Sequence, residues 1–203
     1  TKYGVRLLPS YGLSETLFLS SEYDGAEETR GSVGNILPEV RLRFDGGGEI
    51  LAGVPWMFLG YSNEDAGAYF TQGLYHTGDL GHVEAEKLFI DGRKKELIIK
   101  GGMNISPKRL EEVLLESGLV KECCVSSVVI DEEERIVCWA VLNGGGEDAG
   151  SALNRVVTGR LGRACAVDRY VFAERIPKNL NGKADKETMK KRLLASLRGE
   201  NEG

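Results

Sequence analysis

Residues 91–104 read DGRKKELIIKGGMN, and this stretch divides the chain into two parts of different charge. Three adjacent cations, Arg93, Lys94 and Lys95, precede an apolar run and a Gly-Gly turn. Residues 1–95 hold 9 Lys or Arg and 14 Asp or Glu, a balance of -5, whereas residues 96–203 hold 17 of each. The stretch is therefore either a solvated charge cluster at the start of a strand or a hinge between domains. We expect domains at 1–94 and 95–203.

The part before this stretch has the pattern of short strands and tight turns. Glu39–Phe44 alternates apolar and polar residues, which predicts a strand with one buried face. The Asp-Gly-Gly-Gly run at 45–48 favours a hairpin turn to a partner strand at 49–53. Further strands are expected at 5–8 and 87–90. The pattern indicates a small antiparallel sheet or barrel.

The part after the stretch mixes helices and strands. Ser106 and Pro107 predict a helix start, with Ser as N-cap and Pro in the first turn. The apolar residues that follow at helical spacing are Leu110, Val113 and Leu114. A hairpin is expected at 123–130 and 135–142, a helix from Ser151, a strand at 170–172 and a last helix from Asp185. The fold class is α+β: a small antiparallel β-subdomain, then a compact mixed α+β domain with a central sheet and flanking helices.

The composition disfavours several functional classes. The formal net charge of -5 is unusual for a nucleic-acid binder. No apolar run approaches the ~20 residues of a membrane helix. The four cysteines lack metal-ligand spacing, so buried reduced thiols in a cytoplasmic protein are expected. The 27 glycines are about twice the usual share of ~7%, which directs attention to loops.

Two glycine-bearing segments of the first part carry residues suited to nucleotide chemistry. In Tyr11–Thr16, an aromatic ring, a glycine, a hydroxyl and the Glu15 carboxylate can stack a base, approach a phosphate and hold a divalent ion. The structural alternative is a turn into a short helix capped by Ser14. In Tyr75–Leu80, Asp79 follows a glycine and can accept hydrogen bonds from a ribose diol. Its alternative is an Asx-turn that closes a loop.

A third segment, Pro177–Lys183, reads PKNLNGK and ends in a lysine just before a helix. An ammonium group on a flexible loop can neutralise charge that develops on a phosphoryl group. The alternative is an ordinary exposed lysine. Taken singly, each segment leaves its alternative open.

Taken in order, the segments resemble the motifs of the adenylate-forming superfamily, which comprises acyl- and aryl-CoA synthetases, peptide-synthetase adenylation domains and luciferases. The matching segments are Tyr11–Thr16 (YGxTE), Gly48–Tyr61 (GE(L/I)…GP…GY), Tyr75–Leu80 (YxTGD), Gly92–Pro107 (GRxKExIxxxGxxIxP) and Pro177–Lys183 (PKxxxGK). These five motifs extend over nearly the whole chain.

The resemblance implies a two-step reaction that uses ATP, Mg²⁺ and CoA. A carboxylic acid attacks the α-phosphate of ATP, and a thiol of CoA or of a carrier's phosphopantetheine then displaces AMP. By motif position, Lys183 is the cation of the first step and Glu15 is the metal ligand. The implied nucleotide-binding residues are Tyr11, Gly12, Ser14, Asp79 and Arg93. Lys95 matches the hinge, and Gly101 and Gly102 match the turn that approaches the CoA thiol.

The sequence also departs from the family pattern. The glycine-rich phosphate loop, SGTTGxPKG, is absent, Ser14 replaces the commoner Thr, and Asn104 stands where many members carry Arg. We expect a C-terminal fragment with little or no ligase activity of its own. The leading expectation is an acyl-CoA synthetase of fatty acid metabolism. The alternatives are a carrier-loading adenylation domain and a non-catalytic regulatory or binding remnant. Apolar surface could also promote a homodimer.

Overall fold

The computed structural model describes residues 7–23, 29–62, 65–130, 132–144 and 148–200. The chain folds into two compact units, Thr1–Lys95 and Glu96–Gly203. The first unit is built from strands, and the second combines strands with helices. In the described residues, no helix is both long and apolar enough to cross a membrane.

The first unit contains one antiparallel sheet. Its described strands are β1 (Ser10–Leu13), β2 (Leu17–Ser21), β3 (Ser32–Ile36), β4 (Arg41–Phe44), β5 (Glu49–Gly53), β6 (Phe70–Thr71), β7 (Leu74–Glu84) and β8 (Lys87–Arg93). The strand order is β1-β2-β3-β8-β7-β5-β4, and β6 pairs with β7. This order brings the chain's first hairpin and the long β7–β8 hairpin into one sheet.

The predicted β4–β5 hairpin is present, and local chemistry explains its turn. Asp45 Oδ1 accepts hydrogen bonds from the backbone N–H groups of Gly47 and Glu49, each at 2.8 Å. Strand β5 is buried along its whole length because it lies between β4 and β7.

The predictions for the flanking strands hold less well. Strand β4 begins at Arg41, and Phe44 at its end is 39% exposed, so the predicted buried face ends early. Of the strand expected at 5–8, residues 5 and 6 lie outside the described residues, and Leu7 and Leu8 belong to no strand.

The second unit contains a hairpin, a mixed sheet and three described helices. Its elements are β9 (Ile98–Lys100), β10 (Met103–Ile105), α1 (Pro107–Glu116), β11 (Val120–Ile130), β12 (Glu133–Leu142), α2 (Ala149–Leu161), β13 (Arg169–Phe172) and α3 (Lys186–Glu200). Strands β9 and β10 pair as a hairpin. Strands β11 and β12 are antiparallel, and β13 adds parallel to β12 after the crossover through α2.

Capping side chains start two of these helices where the sequence predicts them. Ser106 Oγ accepts a hydrogen bond from Arg109 N at 3.3 Å, and Pro107 is the first residue of α1. Asp185 accepts from Thr188 N at 3.0 Å just before α3, which lowers the pKa of Asp185. Helix α2 begins two residues before Ser151.

Alternate residues of β11 and β12 supply two apolar layers, because side chains of a strand point to opposite faces. One layer, with Val125, Ile136 and Cys138, packs with residues of α1 and α2. The other, with Cys124, Val137 and Trp139, packs with Met189 and Leu193 of α3. All four cysteines are free thiols. Burial raises the pKa of Cys124 to about 12, so this thiol stays protonated at neutral pH.

Candidate functional site

An open cavity of about 780 Å³ lies in the first unit, between the β1–β2 hairpin and the middle of the sheet. Six residues predicted from the sequence line it: Tyr11, Gly12, Ser14, Glu15, Asp79 and Arg93. Tyr75 and Thr77, which were given no role from the sequence, line it as well. Residues 82 positions apart in the chain therefore share one site.

The Tyr11–Thr16 segment forms a tight β-hairpin, so the alternative of a helix capped by Ser14 is wrong. The turn is closed by Thr16, whose backbone N–H donates to Leu13 O at 3.2 Å and whose Oγ1 accepts from Leu13 N at 3.3 Å. Gly12 faces the returning strand so closely that an added Cβ would lie 1.9 Å from Leu17 O. Only glycine fits there, and the turn leaves Ser14 exposed at the cavity.

In contrast to the loop expected from its glycine, the Thr-Gly-Asp segment lies within strand β7, where it bulges from the β5–β7 ladder. Glu49 pairs with Leu80 and Leu51 pairs with His76, so β7 carries two more residues than β5 between these pairs. Gly78 adopts a left-handed φ of 72° at the centre of the bulge, a conformation that glycine tolerates. Because of the bulge, the Asp79 side chain does not follow the regular alternation of side chains along the strand.

Asp79 is buried, and its carboxylate contacts two side chains of the cavity. Tyr11 Oη donates to Oδ2 at 2.8 Å, and Arg93 Nε lies 2.9 Å from Oδ1. The structural alternative of an Asx-turn is wrong, because the described partners of both carboxylate oxygens are distant in sequence. Burial and the bond to Asp79 raise the pKa of Tyr11 well above its usual value, so the phenol remains a donor. A carboxylate has about four acceptor positions, so Asp79 keeps capacity for further donors.

Glu15 is held by a residue for which the sequence indicated no role. Tyr61 Oη donates to Glu15 Oε1 at 2.5 Å. The signal in the sequence is the Gly60-Tyr61 pair of the second motif. Nowhere in the described ranges do three or more His, Cys, Asp or Glu side chains form a metal-binding group. Glu15 offers a single carboxylate to a divalent ion, and Mg²⁺ is commonly bound through one or two carboxylates with water and phosphate as its other ligands.

A second buried carboxylate, Glu49, supports the bulge and was also missed. Its Oε1 accepts from Gly78 N at 3.0 Å, and its Oε2 lies 2.8 Å from Lys94 Nζ and 3.2 Å from His76 Nδ1. Burial opposes ionisation of Glu49, but the bonds from Lys94, His76 and Gly78 outweigh it, so the pKa of Glu49 is lowered. Glu49 therefore fixes the backbone next to Asp79.

Replacing Glu49 is expected to destabilise the first unit in a pH-dependent way. Glu49→Gln should lower the free energy of unfolding by about 1–3 kcal/mol at pH 7, since it removes a buried charged acceptor. Because the folded pKa lies below the ordinary 4.5, the stabilisation is complete above that pH and is lost as pH falls through the folded pKa. Urea unfolding from pH 7 to pH 3 measures the difference. Glu84→Gln, at an exposed position of β7, is the control, and a pH-independent difference for Glu49→Gln would contradict the prediction.

Lys183 lies in the second unit at the end of a turn that is closely hydrogen-bonded, in contrast to the flexible loop expected. Asn179 Oδ1 accepts from the N–H groups of Asn181 and Lys183 at 3.0 and 3.1 Å, and Asn179 N donates to Lys183 O at 2.8 Å. The Lys183 side chain is exposed, and no ion pair is found for it in the described part of the chain. Its ammonium is therefore available to a ligand.

The remaining predicted residues come from positions 95–104 of the chain. Lys95 is exposed, lies in a short 3₁₀ helix and is the last residue of the first unit. Gly101 and Gly102 form the turn of the β9–β10 hairpin with φ of 57° and 77°. This conformation requires glycine whether or not a thiol approaches. Asn104, where many family members carry Arg, pairs with Ile99 in the same hairpin.

Comparison with known proteins agrees with these observations. Residues 109–183 match the family model of the AMP-binding enzyme C-terminal domain. An indoleacetate–CoA ligase of Aromatoleum aromaticum is 33% identical over 92% of this chain and 40% of its own length. MatB of Rhodopseudomonas palustris, solved with ATP, superposes with a TM-score of 0.80 at 27% identity, covering 93% of this chain and 41% of MatB. The amide bond synthetase McbA of Marinactinospora thermotolerans has a TM-score of 0.80 at 25% identity, over 92% of this chain and 41% of McbA.

The fold and these matches assign the chain to the class of the AMP-binding enzymes. The chain belongs to the adenylate-forming superfamily, in which its curated relatives are named CoA ligases. It spans about two fifths of the length of the relatives it matches. The resemblance and the α+β fold class predicted from the sequence are confirmed.

Proposed function

We propose that the protein takes part in the AMP-forming activation of a carboxylic acid and its transfer to the thiol of CoA. The observation that carries this proposal is the contact of Asp79 with Tyr11 and Arg93 in a cavity that also contains Ser14 and Glu15. Such a cavity combines acceptors for a diol, an aromatic ring and a carboxylate in the volume range of small-ligand sites.

In the proposed site, Asp79 accepts hydrogen bonds from the two ribose hydroxyls. Its two carboxylate oxygens each have one described partner, so each retains a lone pair for a hydroxyl. The Tyr11 ring, tethered through its phenol to Asp79, provides a surface for adenine. Arg93 adds positive charge for the nucleotide and pairs with Asp79 at 2.9 Å.

In the first step, a carboxylate oxygen of the acid attacks the α-phosphorus, and the bond from that phosphorus to the pyrophosphate oxygen breaks. Negative charge grows on the phosphate oxygens, so positioned donors lower the barrier. Lys183 supplies a cation for this charge, and Ser14 donates its hydroxyl to phosphate. Glu15 would hold Mg²⁺, which when bound screens the charge of the phosphates.

In the second step, the sulfur of CoA attacks the acyl carbon, and AMP leaves with the electrons of the acyl–oxygen bond. We propose Lys95 as the hinge between the two half-reactions, and the Gly101-Gly102 turn as the part that lies near the thiol. The names of the relatives as CoA ligases support CoA as acceptor. The similarity to an amide bond synthetase makes an amine the principal rival.

Nucleotide binding by the purified protein tests the proposal. AMP is expected to shift the NMR signals of Tyr11–Leu17 and of Gly78 and Asp79, because these residues line or adjoin the cavity. The control ligand, 2′,3′-dideoxy-AMP, lacks both hydroxyls and should bind at least about tenfold more weakly, as expected for lost bonds to a charged acceptor. The proposal is wrong if AMP shifts none of these signals, or if both ligands bind equally well.

A further inference from the structure

The carboxylate of Glu15 is held from one side by a tyrosine that does not line the cavity. Tyr61 Oη lies 2.5 Å from Glu15 Oε1 and 3.2 Å from Tyr75 Oη. A hydroxyl has one proton, and an ionised carboxylate can only accept. Tyr61 therefore donates to Glu15, and Tyr75 must be the donor between the two tyrosines. The result is a directed chain, Tyr75 to Tyr61 to Glu15.

Aromatic packing restricts where the Tyr61 hydroxyl can lie. The Tyr61 ring meets Phe58 at 5.1 Å and 67° and Tyr69 at 5.1 Å and 72°, both edge-to-face contacts. Phe58 also meets Tyr75 at 5.3 Å, so the rings at both ends of the Tyr75–Tyr61 bond pack on one partner. Edge-to-face contacts on two sides of the ring limit the positions that the Tyr61 hydroxyl can take.

The main chain of the same segment reinforces this arrangement. Phe58 N donates to Glu15 O at 3.0 Å, so residues 58–61 contact both the backbone and the side chain of Glu15. In the described ranges, no partner is found for the second oxygen, Oε2.

We propose that Tyr61 is a positioning residue for Glu15: it engages Oε1 and so directs Oε2 toward a divalent cation bound with the nucleotide. This inference rests on the proposed nucleotide function. A carboxylate that rotates freely samples many orientations, and ordering it beforehand removes that cost from cation binding. Tyr61 acts through Glu15 and touches neither the cation nor the nucleotide.

Tyr61→Phe tests the inference, because it removes the hydroxyl and keeps the ring. Mn²⁺ binding in the presence of ATP, measured by electron paramagnetic resonance, is expected to weaken about three- to tenfold. ATP binding without metal, measured by calorimetry with EDTA, should change less than about twofold. The metal-dependent difference is the readout that a merely structural role would not produce. Tyr69→Phe is the matched control, since its ring packs on Tyr61 and the described residues show no bond to its hydroxyl.

The possible outcomes distinguish a failure of the Tyr61 inference from a failure of the proposed nucleotide function on which it rests. Equal Mn²⁺ affinities for Tyr61→Phe and the unchanged protein overturn the inference and leave the nucleotide function standing. Absence of ATP binding by the unchanged protein overturns the function and the inference together. Should Tyr61→Phe fail to fold, Tyr75→Phe removes the upstream donor. It is expected to weaken Mn²⁺ binding by about two- to threefold, and no metal-dependent change would again overturn the inference.

Discussion

Lys183→Ala is expected to reduce ATP–pyrophosphate exchange by about 10²- to 10³-fold, the usual loss when a positioned donor to a charged transition state is removed. The glycine-rich phosphate loop of the family is absent from these 203 residues. Exchange is therefore to be measured in a hybrid enzyme in which this chain replaces the matching two fifths of the indoleacetate–CoA ligase relative. The substitution leaves the fold intact, because the turn is held by the backbone of Lys183 and the side chain of Asn179.

The controls for Lys183 separate its proposed role from general electrostatics. Lys178 belongs to the same turn but pairs with Glu122 at 2.8 Å, so Lys178→Ala should change exchange less than about twofold. Thioester formation from a preformed acyl-adenylate should be almost unchanged by Lys183→Ala, because the proposed charge develops only in the first step. Similar losses for both lysines, or in both half-reactions, would rule out the assigned role.

Asp79→Asn is expected to weaken AMP binding at least about tenfold, which follows from hydrogen bonds to a charged group worth about 1.5–3 kcal/mol. Asparagine keeps one acceptor oxygen in place of two. It therefore cannot serve Tyr11, Arg93 and two ribose hydroxyls together. The free energy of unfolding should also fall by about 1–3 kcal/mol, since Asp79 is buried and its two partners lose an ionised acceptor.

Calorimetry with AMP measures the effect of Asp79→Asn on AMP affinity. Urea unfolding measures its effect on the free energy of unfolding. Asp91→Asn is the control, because Asp91 lies on the neighbouring strand, is about half-exposed and contacts His82 at 2.8 Å outside the cavity. It should leave AMP affinity within about twofold. If Asp79→Asn lowers stability but not AMP affinity, Asp79 has a structural role only.

Local features of the fold were predictable from the sequence because their causes lie within a few residues. Asp45 closes the β4–β5 turn through its own neighbours, Ser106 caps α1, and Asp185 precedes α3. The two β-rich runs at 123–130 and 135–142 predict a hairpin, and the structure pairs them as β11 and β12. The resemblance to the adenylate-forming superfamily also implied six site residues that line one cavity.

The local conformation of the site was predicted poorly, because sheet pairing overrides the preferences of short segments. Tyr11–Thr16 has a helix-entry alternative by its residue types, but pairing of β1 with β2 makes it a hairpin. Tyr75–Leu80 suggests a loop through its glycine, yet β5 and β8 hold it in the interior of the sheet as a bulge.

What the sequence alone determined is the set of chemical groups, the turns and caps, and the family to which the chain belongs. What only the tertiary structure decided is which groups meet. Tyr11 reaches Asp79 across 68 positions, and Tyr61 reaches Glu15 across 46. The physical reason is range: a cap or a turn depends on neighbouring residues, whereas a bond across a sheet depends on the register of strands far apart in the chain.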